Sequence, residues 1–351
     1  MKVKLPVRRA ILLRQTYEAP AEGRFGKVRL DFNENTSGCS PAVLRALAKL
    51  SAKKLAMYPE YAGTTEKLAR HYGVDPDELL LTNGGDEAIR VFFDSFVDAG
   101  SRLLICEPTF PMYRYYGEIA GAKIDTVRYG LEMEFPRQDL FVALKKKPRV
   151  LFIANPNNPT GTLISIAEIK RILDAAQNTA VVIDEAYAEF SGVTVVPLIH
   201  KYPNLFVTRT FSKAAGLASL RLGSVMACAE SVGILRRAMS PFAVNAAVLV
   251  AAEAAVSDAD RIKKIVRNTK RVREWFAKEL KNIGARTFAS AGNFLLVDFG
   301  PNGPDLVRQL EAKGILLRGR KDGMVRITIG TSEEMKLVTR ELKALIGKGG
   351  L

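Results

Sequence analysis

The stretch VLFIANPNNPTG, residues 150–161, places an unbroken apolar run directly before a turn rich in asparagine and proline. An unbroken run, in contrast to an alternating one, is typical of a strand that is covered on both faces, as in a parallel sheet. The two Asn-Pro steps predict a rigid turn. The stretch therefore predicts a buried strand that ends in a fixed loop.

Short apolar runs of the same kind recur on both sides of this stretch, with amphipathic helical patterns between them, for example at residues 86–97 and 166–176. This alternation is typical of an α/β domain with a mostly parallel sheet and flanking helices. The strands that we predict for it are residues 78–82, 103–106, 150–154, 180–184, 205–209 and 223–227.

The pattern changes after about residue 245. An alanine-rich stretch at 241–256 predicts a buried helix, and a charged helix is predicted at about 258–283. Ser40 followed by Pro41 predicts the first helix start of the larger unit. We predict a large α/β domain over residues 36–245 and a smaller α+β domain from residues 1–35 and 246–351. Its predicted strands are 28–32, 294–299, 315–318 and 324–329, and its further helices lie near 305–313 and from 332.

The composition argues against several kinds of site. The 351 residues include two histidines, His71 and His200, which disfavours a Ser-His-Asp triad or a histidine-rich metal site. The three cysteines, Cys39, Cys106 and Cys228, lie far apart, which is typical of reduced, buried thiols in a cytoplasmic protein. We therefore expect no metal, and lysine becomes the natural candidate for a general base.

The net charge of +15 raises the question of an anionic partner. The basic residues are spread along the chain, and the longest run covers only residues 145–147. The longest apolar stretch is interrupted by Asn245 and Glu253, so it is too short for a membrane span. We expect neither nucleic acid nor membrane as a partner, and we interpret the charge as a basic surface that attracts anionic substrates.

Polar groups of complementary kinds follow four of the predicted strands. Ligands of open parallel sheets bind at the carboxyl ends of the strands. One of the four is the turn at 155–161 described above, and the other three are as follows. The segment NGGDE, residues 83–87, opens a helix whose free N–H groups suit an anion, although in isolation it is also an ordinary acidic cap. Asp184 ends a buried strand and needs a partner, either an ion pair or a ring N–H. Lys213 lies among small residues, with Ser212 and Arg221 near enough to grip a phosphate.

Together these groups describe one ligand. A helix N-terminus, a serine and an arginine suit a phosphate, and Asp184 suits a protonated ring nitrogen. Asn158 and Tyr187 suit a ring hydroxyl, and Lys213 suits an aldehyde. The ligand with these groups is pyridoxal phosphate.

The sequence resembles the fold-type-I pyridoxal-phosphate aminotransferases, most closely the histidinol-phosphate aminotransferase family. The resemblance covers nearly the whole chain. Its most specific parts are NPTG at 158–161, DEAY at 184–187, and Lys213 after Ser212 with Arg221 eight residues further on.

The resemblance implies a role for individual residues around the cofactor. Lys213 is implied as the Schiff-base lysine and proton carrier, neutral because it is buried beside Arg221. Asp184 is implied as the partner of the pyridine nitrogen, and Asn158 and Tyr187 as partners of the ring hydroxyl. Further implied cofactor contacts are Phe110 stacked on the ring, and Gly85, Asp86, Glu87, Ser212 and Arg221 at the phosphate.

The resemblance also implies how substrate and a second subunit are bound. Arg326 is implied as the receptor of the substrate's anionic group, with Arg318, Tyr17 and Asn158 as further substrate contacts. Tyr58 is implied to reach the cofactor phosphate of the neighbouring subunit, which gives a homodimer with shared active sites.

The implied activity is transamination between a small-molecule amino donor and a keto acceptor, with histidinol phosphate and 2-oxoglutarate as the pair that the family uses. The segment NENTSG, residues 33–38, lacks the Pro-Tyr that the family often has there, and the segment between Arg318 and Arg326 is short. Both differences lie where the substrate is chosen. The alternatives are an aminotransferase for aromatic or other amino acids, a phosphothreonine decarboxylase, and a non-catalytic pyridoxal-phosphate-binding regulator.

Overall fold

Two β-sheets organise the chain in a computed structural model, which describes residues 5–12, 14, 22–320 and 322–347. In chain order, the strands within these residues are β1 (Val28–Leu30), β2 (Leu79–Thr82), β3 (Arg102–Glu107), β4 (Lys123–Arg128), β5 (Val150–Ala154), β6 (Ala180–Asp184), β7 (Leu205–Thr210), β8 (Gly223–Met226), β9 (Arg286–Thr287), β10 (Phe294–Asp298), β11 (Ile315–Gly319) and β12 (Met324–Thr328).

Helices cover both sheets. Within the described residues they are α1 (Arg9–Leu12), α2 (Pro41–Ala48), α3 (Ala52–Ala56), α4 (Ala62–Tyr72), α5 (Gly84–Phe96), α6 (Met112–Ala120), α7 (Arg137–Leu144), α8 (Ile166–Ala175), α9 (Ala188–Ser191), α10 (Ala229–Ala238), α11 (Ala246–Ser257), α12 (Ala259–Asn282), α13 (Gly303–Ala312) and α14 (Ser332–Ile346). As predicted, α2 begins at Ser40 and Pro41, and the Ser40 hydroxyl accepts a hydrogen bond from the backbone N–H of Ala42.

The larger sheet has the strand order β2-β8-β7-β6-β5-β3-β4. Its central pairs, β3 with β5, β5 with β6 and β6 with β7, are parallel, whereas β8 is antiparallel to both of its neighbours. The predicted α/β class with a mostly parallel sheet is therefore confirmed. The parallel order brings the carboxyl ends of β5, β6 and β7 to one edge of the sheet.

The unbroken apolar runs are buried on both faces, as the sequence predicted. Leu104 in β3, Leu151 in β5 and Val181 in β6 are completely shielded from solvent. Full burial of such a side chain contributes about 1.5–3 kcal/mol of transfer free energy. These buried strands fix the positions of the polar side chains that follow at the strand ends.

The prediction missed strand β4. Its sequence, KIDTVR, alternates charged and apolar residues, and most of its residues are only half-buried because it lies at the edge of the sheet. An edge strand needs no unbroken apolar run, so the pattern that revealed the central strands was absent.

The smaller sheet has the order β1-β11-β12-β10-β9, and the predicted strand near residue 28 does join it, parallel to β11. Its core contains Leu30, Phe276, Val297 and Ile327. The N-terminal segment therefore contributes to the same small α+β unit as the C-terminal part of the chain.

We propose two domains, as the sequence suggested, but with a later boundary than residue 245. Helix α11 buries Val248, Leu249, Ala251 and Ala252 in the core that packs against the larger sheet. The first core residues of the small unit in the long helix α12 come only later, from Val272. The proposed boundary therefore falls after Ser257. None of the helices in the described residues is long and apolar enough to cross a membrane.

Candidate active site

A cavity of about 880 Å³ opens where the carboxyl ends of β5, β6 and β7 meet the small sheet. Its volume suits a cofactor together with a small substrate. The residues predicted for the site that line it are Gly85, Asp86, Phe110, Asn158, Asp184, Tyr187, Ser212, Lys213, Arg221, Arg318 and Arg326. The structure thus brings together residues that are up to 241 positions apart in the sequence, from Gly85 to Arg326.

Two of the predicted site residues do not line this cavity. The Glu87 carboxylate accepts the backbone N–H of Asn83 at 2.6 Å and pairs with Arg90, so it caps helix α5 instead of facing the cavity. Tyr58 is 77% exposed and stacks on Phe242 at the surface. Tyr17 lies outside the described residues.

The amine of Lys213 is held inside the cavity. Its Nζ donates a hydrogen bond to the backbone oxygen of Phe32 at 2.8 Å. Burial, followed by the positive charge of Arg326, lowers the pKa of Lys213 to about 8, and the carboxylates of Glu34 and Asp86 oppose this shift. Arg221, which the sequence analysis named as the neighbouring cation, contributes less than Arg326.

Asp184 projects from the end of β6 into the same cavity. Its carboxylate accepts hydrogen bonds from the Tyr113 hydroxyl at 2.6 Å and from the backbone N–H of Ala186 at 3.1 Å. Burial raises the pKa of Asp184, and these hydrogen bonds act in the opposite direction. Within the described part of the chain, Asp184 forms no ion pair, so this carboxylate faces the cavity without a cationic protein partner.

The two predicted ring-hydroxyl partners contact residues of the N-terminal segment and the small sheet. The Tyr187 hydroxyl accepts a hydrogen bond from Asn33 Nδ2 at 2.8 Å, and Asn158 Oδ1 accepts one from Arg326 Nη1 at 2.6 Å. Arg326 also donates to the backbone oxygen of Asp31. The side of the cavity opposite the large sheet is therefore closed by β12 and by the segment after β1.

The loop after β5 is fixed from within, as its asparagines and prolines predicted. Asn155 exchanges two hydrogen bonds with the backbone of Ile164, and Asn157 Nδ2 donates to the backbone oxygen of Pro108 at 2.9 Å. The remaining asparagine, Asn158, is the one whose amide is aimed into the cavity.

The guanidinium of Arg221 lies beside the N-terminus of helix α5. Arg221 adopts a left-handed backbone conformation with φ of 56°, and its Nη2 lies 3.0 Å from Asp86 Oδ2. Its Nη1 donates to Ser212 Oγ at 3.4 Å. A Cβ added to Gly84 would lie 2.5 Å from the guanidinium, and one added to Gly223 would lie 2.5 Å from the Gly84 backbone. Only glycines at both positions let Arg221 lie this close to the helix N-terminus.

Among the residues that sequence reasoning missed are four that line the cavity or bind its polar side chains. Phe32 and Glu34 line it, and Asn33 between them binds Tyr187; the sequence analysis noted this segment only for its difference from the family pattern. Tyr113, the donor to Asp184, lies on α6, where it resembles any core aromatic in the sequence. The pairing of these residues with the site depends on contacts across more than 70 positions, which no local pattern reports.

Comparison with known proteins gives a consistent result across the chain. The family model described as aminotransferase class I and II matches residues 26–342. The histidinol-phosphate aminotransferase of Geobacillus sp. (strain WCH70) is 35% identical over 335 residues, which cover 91% of this chain and 90% of that protein. The histidinol-phosphate aminotransferase of Thermococcus gammatolerans is 36% identical, with coverage of 93% and 94%.

A solved structure agrees with these sequence matches. The structure of histidinol-phosphate aminotransferase from Sinorhizobium meliloti in complex with pyridoxal 5'-phosphate superposes with a TM-score of 0.86 at 25% identity. The match covers 92% of this chain and 91% of that one. The similarity therefore includes both sheets and the cavity between them.

Proposed function

Because the chain belongs to the class I and II aminotransferases, a family that depends on pyridoxal phosphate, we propose that it transfers an amino group between histidinol phosphate and 2-oxoglutarate, giving imidazole-acetol phosphate and glutamate. This reaction belongs to histidine biosynthesis. The observation that carries the proposal is one cavity holding Lys213 with a lowered pKa, an Asp184 carboxylate and the arginines Arg221 and Arg326. The choice of substrate follows the similar histidinol-phosphate aminotransferases.

The chemistry of the cavity fits pyridoxal phosphate. Phosphate binds to N–H and O–H donors of the kind offered by Arg221, Ser212 and the N-terminus of α5. The absence of a side chain at Gly84 leaves space for the Arg221 guanidinium. Asp184 offers a buried carboxylate to a protonated ring nitrogen. Phe110 lines the wall between these groups. We propose that Asn158 and Tyr187 bind the ring hydroxyl and that Lys213 binds the aldehyde carbon.

When bound, pyridoxal phosphate supplies a carbonyl that takes up the amino group and a protonated ring that accepts the electron pair left when the α-proton is removed. We propose that Lys213 moves this proton. With a pKa of about 8, its amine is partly neutral near neutral pH, which an amine with an ordinary lysine pKa is not. Burial and Arg326 thus prepare Nζ to act as a base.

We propose that Asp184 keeps the ring nitrogen protonated. The hydrogen bonds from Tyr113 and Ala186 hold its carboxylate in one orientation, and burial strengthens its interaction with a cation. The Asn33 amide holds the Tyr187 hydroxyl in place in the same way. These contacts position the two groups before any ligand arrives.

We propose that Arg326 and Arg318 receive the anionic groups of the substrates. Both line the part of the cavity that the small sheet contributes, and the Asn158 contact fixes the Arg326 guanidinium. Glutamate and histidinol phosphate both carry a negative group away from the reacting carbon, so one cationic wall serves both half-reactions.

We propose that the protein works as a homodimer in the cytoplasm, and that Tyr58 completes the site of the partner subunit. The exposed ring of Tyr58 and its neighbour Phe242, which is 49% exposed, form an apolar surface outside the chain's own cavity. A phenol hydroxyl at such a surface is free to donate to a phosphate across an interface.

The experiment that tests the proposed function is turnover of the purified protein with glutamate against a panel of acceptors. We expect the largest kcat/KM with imidazole-acetol phosphate, and in the reverse direction with histidinol phosphate. Higher turnover with the keto acids of phenylalanine or tyrosine would assign a different acceptor. Carbon dioxide release from phosphothreonine without amino transfer would replace transamination by decarboxylation.

Replacing Arg326 by methionine should raise KM for glutamate and for histidinol phosphate by about 10²-fold, since a buried charge-assisted pair with a substrate anion contributes about 1.5–3 kcal/mol. Steady-state kinetics of both half-reactions measures this. The matched control is Arg308→Met on the exposed face of α13, whose side chain is 71% exposed and for which we expect unchanged KM. Equal KM values for the Arg326 variant and the parent would exclude Arg326 as the anion receptor.

Mixing two inactive variants tests whether the sites are shared. If Tyr58 serves the partner, a mixed dimer of Tyr58→Ala and Lys213→Ala subunits has one site with both defects and one intact site. Random exchange makes about half of the dimers mixed, so we expect recovery of about one quarter of the parental activity. With mixed dimers verified by two different affinity tags, no recovery would place Tyr58 in the site of its own subunit, and an active Tyr58→Ala protein would place it outside any site.

A further inference from the structure

Beside the cavity, three charged side chains form a cluster to which the proposed reaction assigns no role. Arg209 donates from Nε to Glu185 Oε2 at 2.9 Å and from Nη1 to Glu189 Oε1 at 3.1 Å. The Arg209 side chain is 10% exposed and that of Glu185 is 1% exposed. The Glu189 side chain is 27% exposed, so one guanidinium binds one almost completely buried carboxylate and one partly buried carboxylate. We refer to these three residues as the Arg209 cluster.

Further contacts hold the cluster from several directions. Glu185 Oε1 accepts the backbone N–H of Val195 at 2.6 Å, and Oε2 also accepts the Thr194 hydroxyl at 2.8 Å. On the opposite side, the Arg209 guanidinium lies 5.8 Å from the ring centroid of Tyr72 in α4. Both oxygens of Glu185 and two faces of Arg209 are thus occupied, so neither side chain is free to rotate.

The cluster lies between the two segments that carry the central groups of the site. Glu185 directly follows Asp184 at the end of β6, and Arg209 lies four residues before Lys213 in the neighbouring parallel strand β7. The backbone N–H of Glu185 also donates to the oxygen of Thr208 at 2.9 Å, which is the last ladder bond between the strands. Among the described residues, no later backbone hydrogen bond joins β6 directly to β7, so a further direct link between the two strand ends must come from side chains.

Stability alone is a weak explanation for the cluster. Removing charged groups from water is costly, and replacing a buried ion pair by apolar residues of similar volume is often neutral or stabilising. Here two carboxylates share one cation, so the charges do not even balance. The best-attested use of such buried charges is to specify one arrangement of the chain over others.

We propose that Arg209 is a positioning residue that acts through Glu185 to fix the separation between the Asp184 carboxylate and Lys213 Nζ. Arg209 borders the cavity, and its Nε and Nη1 are engaged by the two carboxylates. The inference rests on the proposed function, in which Asp184 and Lys213 bind opposite parts of one cofactor. An error in their separation impairs that cofactor's attachment and the proton transfer together.

The test is Arg209→Met, which keeps an unbranched apolar stem about as long as the aliphatic part of arginine and removes the guanidinium with its donors. We expect kcat to fall about 10–100-fold with KM for both substrates changed less than about 3-fold, because a misplacement of about 1 Å costs up to about 10²-fold in rate while the substrate receptors are untouched. The dissociation constant for pyridoxal phosphate, from a fluorescence titration, should rise about 10-fold. Arg209→Lys, which retains one charge–carboxylate contact, should recover part of both losses.

A control separates positioning from the general cost of removing an arginine from a buried glutamate. Arg137 in α7 donates from Nε to Glu168 Oε1 at 2.7 Å; its own side chain is 60% exposed and that of Glu168 is 5% exposed, and neither residue lines the cavity. Arg137→Met should lower the melting temperature without changing kcat or cofactor affinity. If Arg209→Met does not fold, Thr194→Val removes one hydrogen bond from Glu185 and should lower kcat about 3–10-fold, with KM retained.

The inference is overturned if folded Arg209→Met keeps the parental kcat and cofactor affinity, or loses no more of either than Arg137→Met. Parental kinetics of Thr194→Val, where Arg209→Met does not fold, would overturn it as well. The proposed function is judged separately, by transamination and cofactor binding of the parent protein, so the two conclusions fail independently.

Discussion

Lys213→Ala should abolish transamination and cofactor attachment together. We expect the turnover to fall by at least about 10⁴-fold, because general acid–base catalysis alone contributes about 10²–10⁴ and covalent attachment is lost as well. The purified variant incubated with pyridoxal phosphate should also lack the visible absorbance of a lysine-bound cofactor. Stopped assays and absorption spectra measure both effects on the same sample. A variant that still turns over at the parental rate would show that another group carries the proton.

The stability of the cofactor-free chain serves as a control for this variant. Burial and Arg326 lower the pKa of Lys213 from 10.5 to about 8, so the protonated amine destabilises the folded chain. This penalty is fully present below pH 8, decreases as the pH rises and disappears above about 10.5. Lys213→Met, which keeps the aliphatic stem, should therefore melt no lower than the cofactor-free parent at pH 7. The difference between them should shrink when both are melted at pH 10.

Asp184→Asn should be the second most damaging change. An amide has the same shape as the carboxylate but no charge, so it cannot hold a proton on a ring nitrogen. Removing one preorganised electrostatic partner from an enclosed site typically costs about 10²–10³-fold in kcat, and we expect a loss of this size. Steady-state kinetics with saturating cofactor separates this loss from weakened binding.

Tyr113→Phe is the matched comparison for this prediction. It removes one hydrogen bond from the carboxylate and leaves the charge in place, so we expect kcat to fall by only about tenfold, which corresponds to the lower end of the roughly 1.5–3 kcal/mol that a hydrogen bond to a charged group contributes. An Asp184→Asn protein with the parental kcat would contradict the role of Asp184. If both variants lost activity equally, the hydrogen bond and not the charge would be the essential feature.

Much of this architecture follows from local patterns in the chain. The runs at 150–154 and 180–184 have the same bounds as β5 and β6. Because such runs mark parallel strands, the residues that follow them were expected at one sheet edge. Asn158, Asp184 and Lys213 do line one cavity there. Burial on both faces causes both the unbroken apolar run in the sequence and the central position of the strand in the sheet. The sequence therefore predicts these strands well.

Other features depend on contacts that no local pattern encodes. The hydrogen bond from Lys213 to Phe32 and that from Asn33 to Tyr187 join segments more than 150 positions apart. The sequence motif at 83–87 suggested that Glu87 faces the ligand, but a glutamate in the first turn of a helix has a nearer partner in the free N–H groups. Whether Glu87 binds a ligand or the backbone N–H of Asn83 depends on the three-dimensional arrangement, which the sequence motif does not specify.

The most direct test of the account is to find where pyridoxal phosphate attaches. The purified protein is saturated with the cofactor, reduced with borohydride, digested and analysed by mass spectrometry. The account predicts one labelled peptide, with the cofactor on Lys213, and a loss of activity that parallels the labelling. A protein that stays unlabelled, or that carries the label on a different lysine, would contradict it.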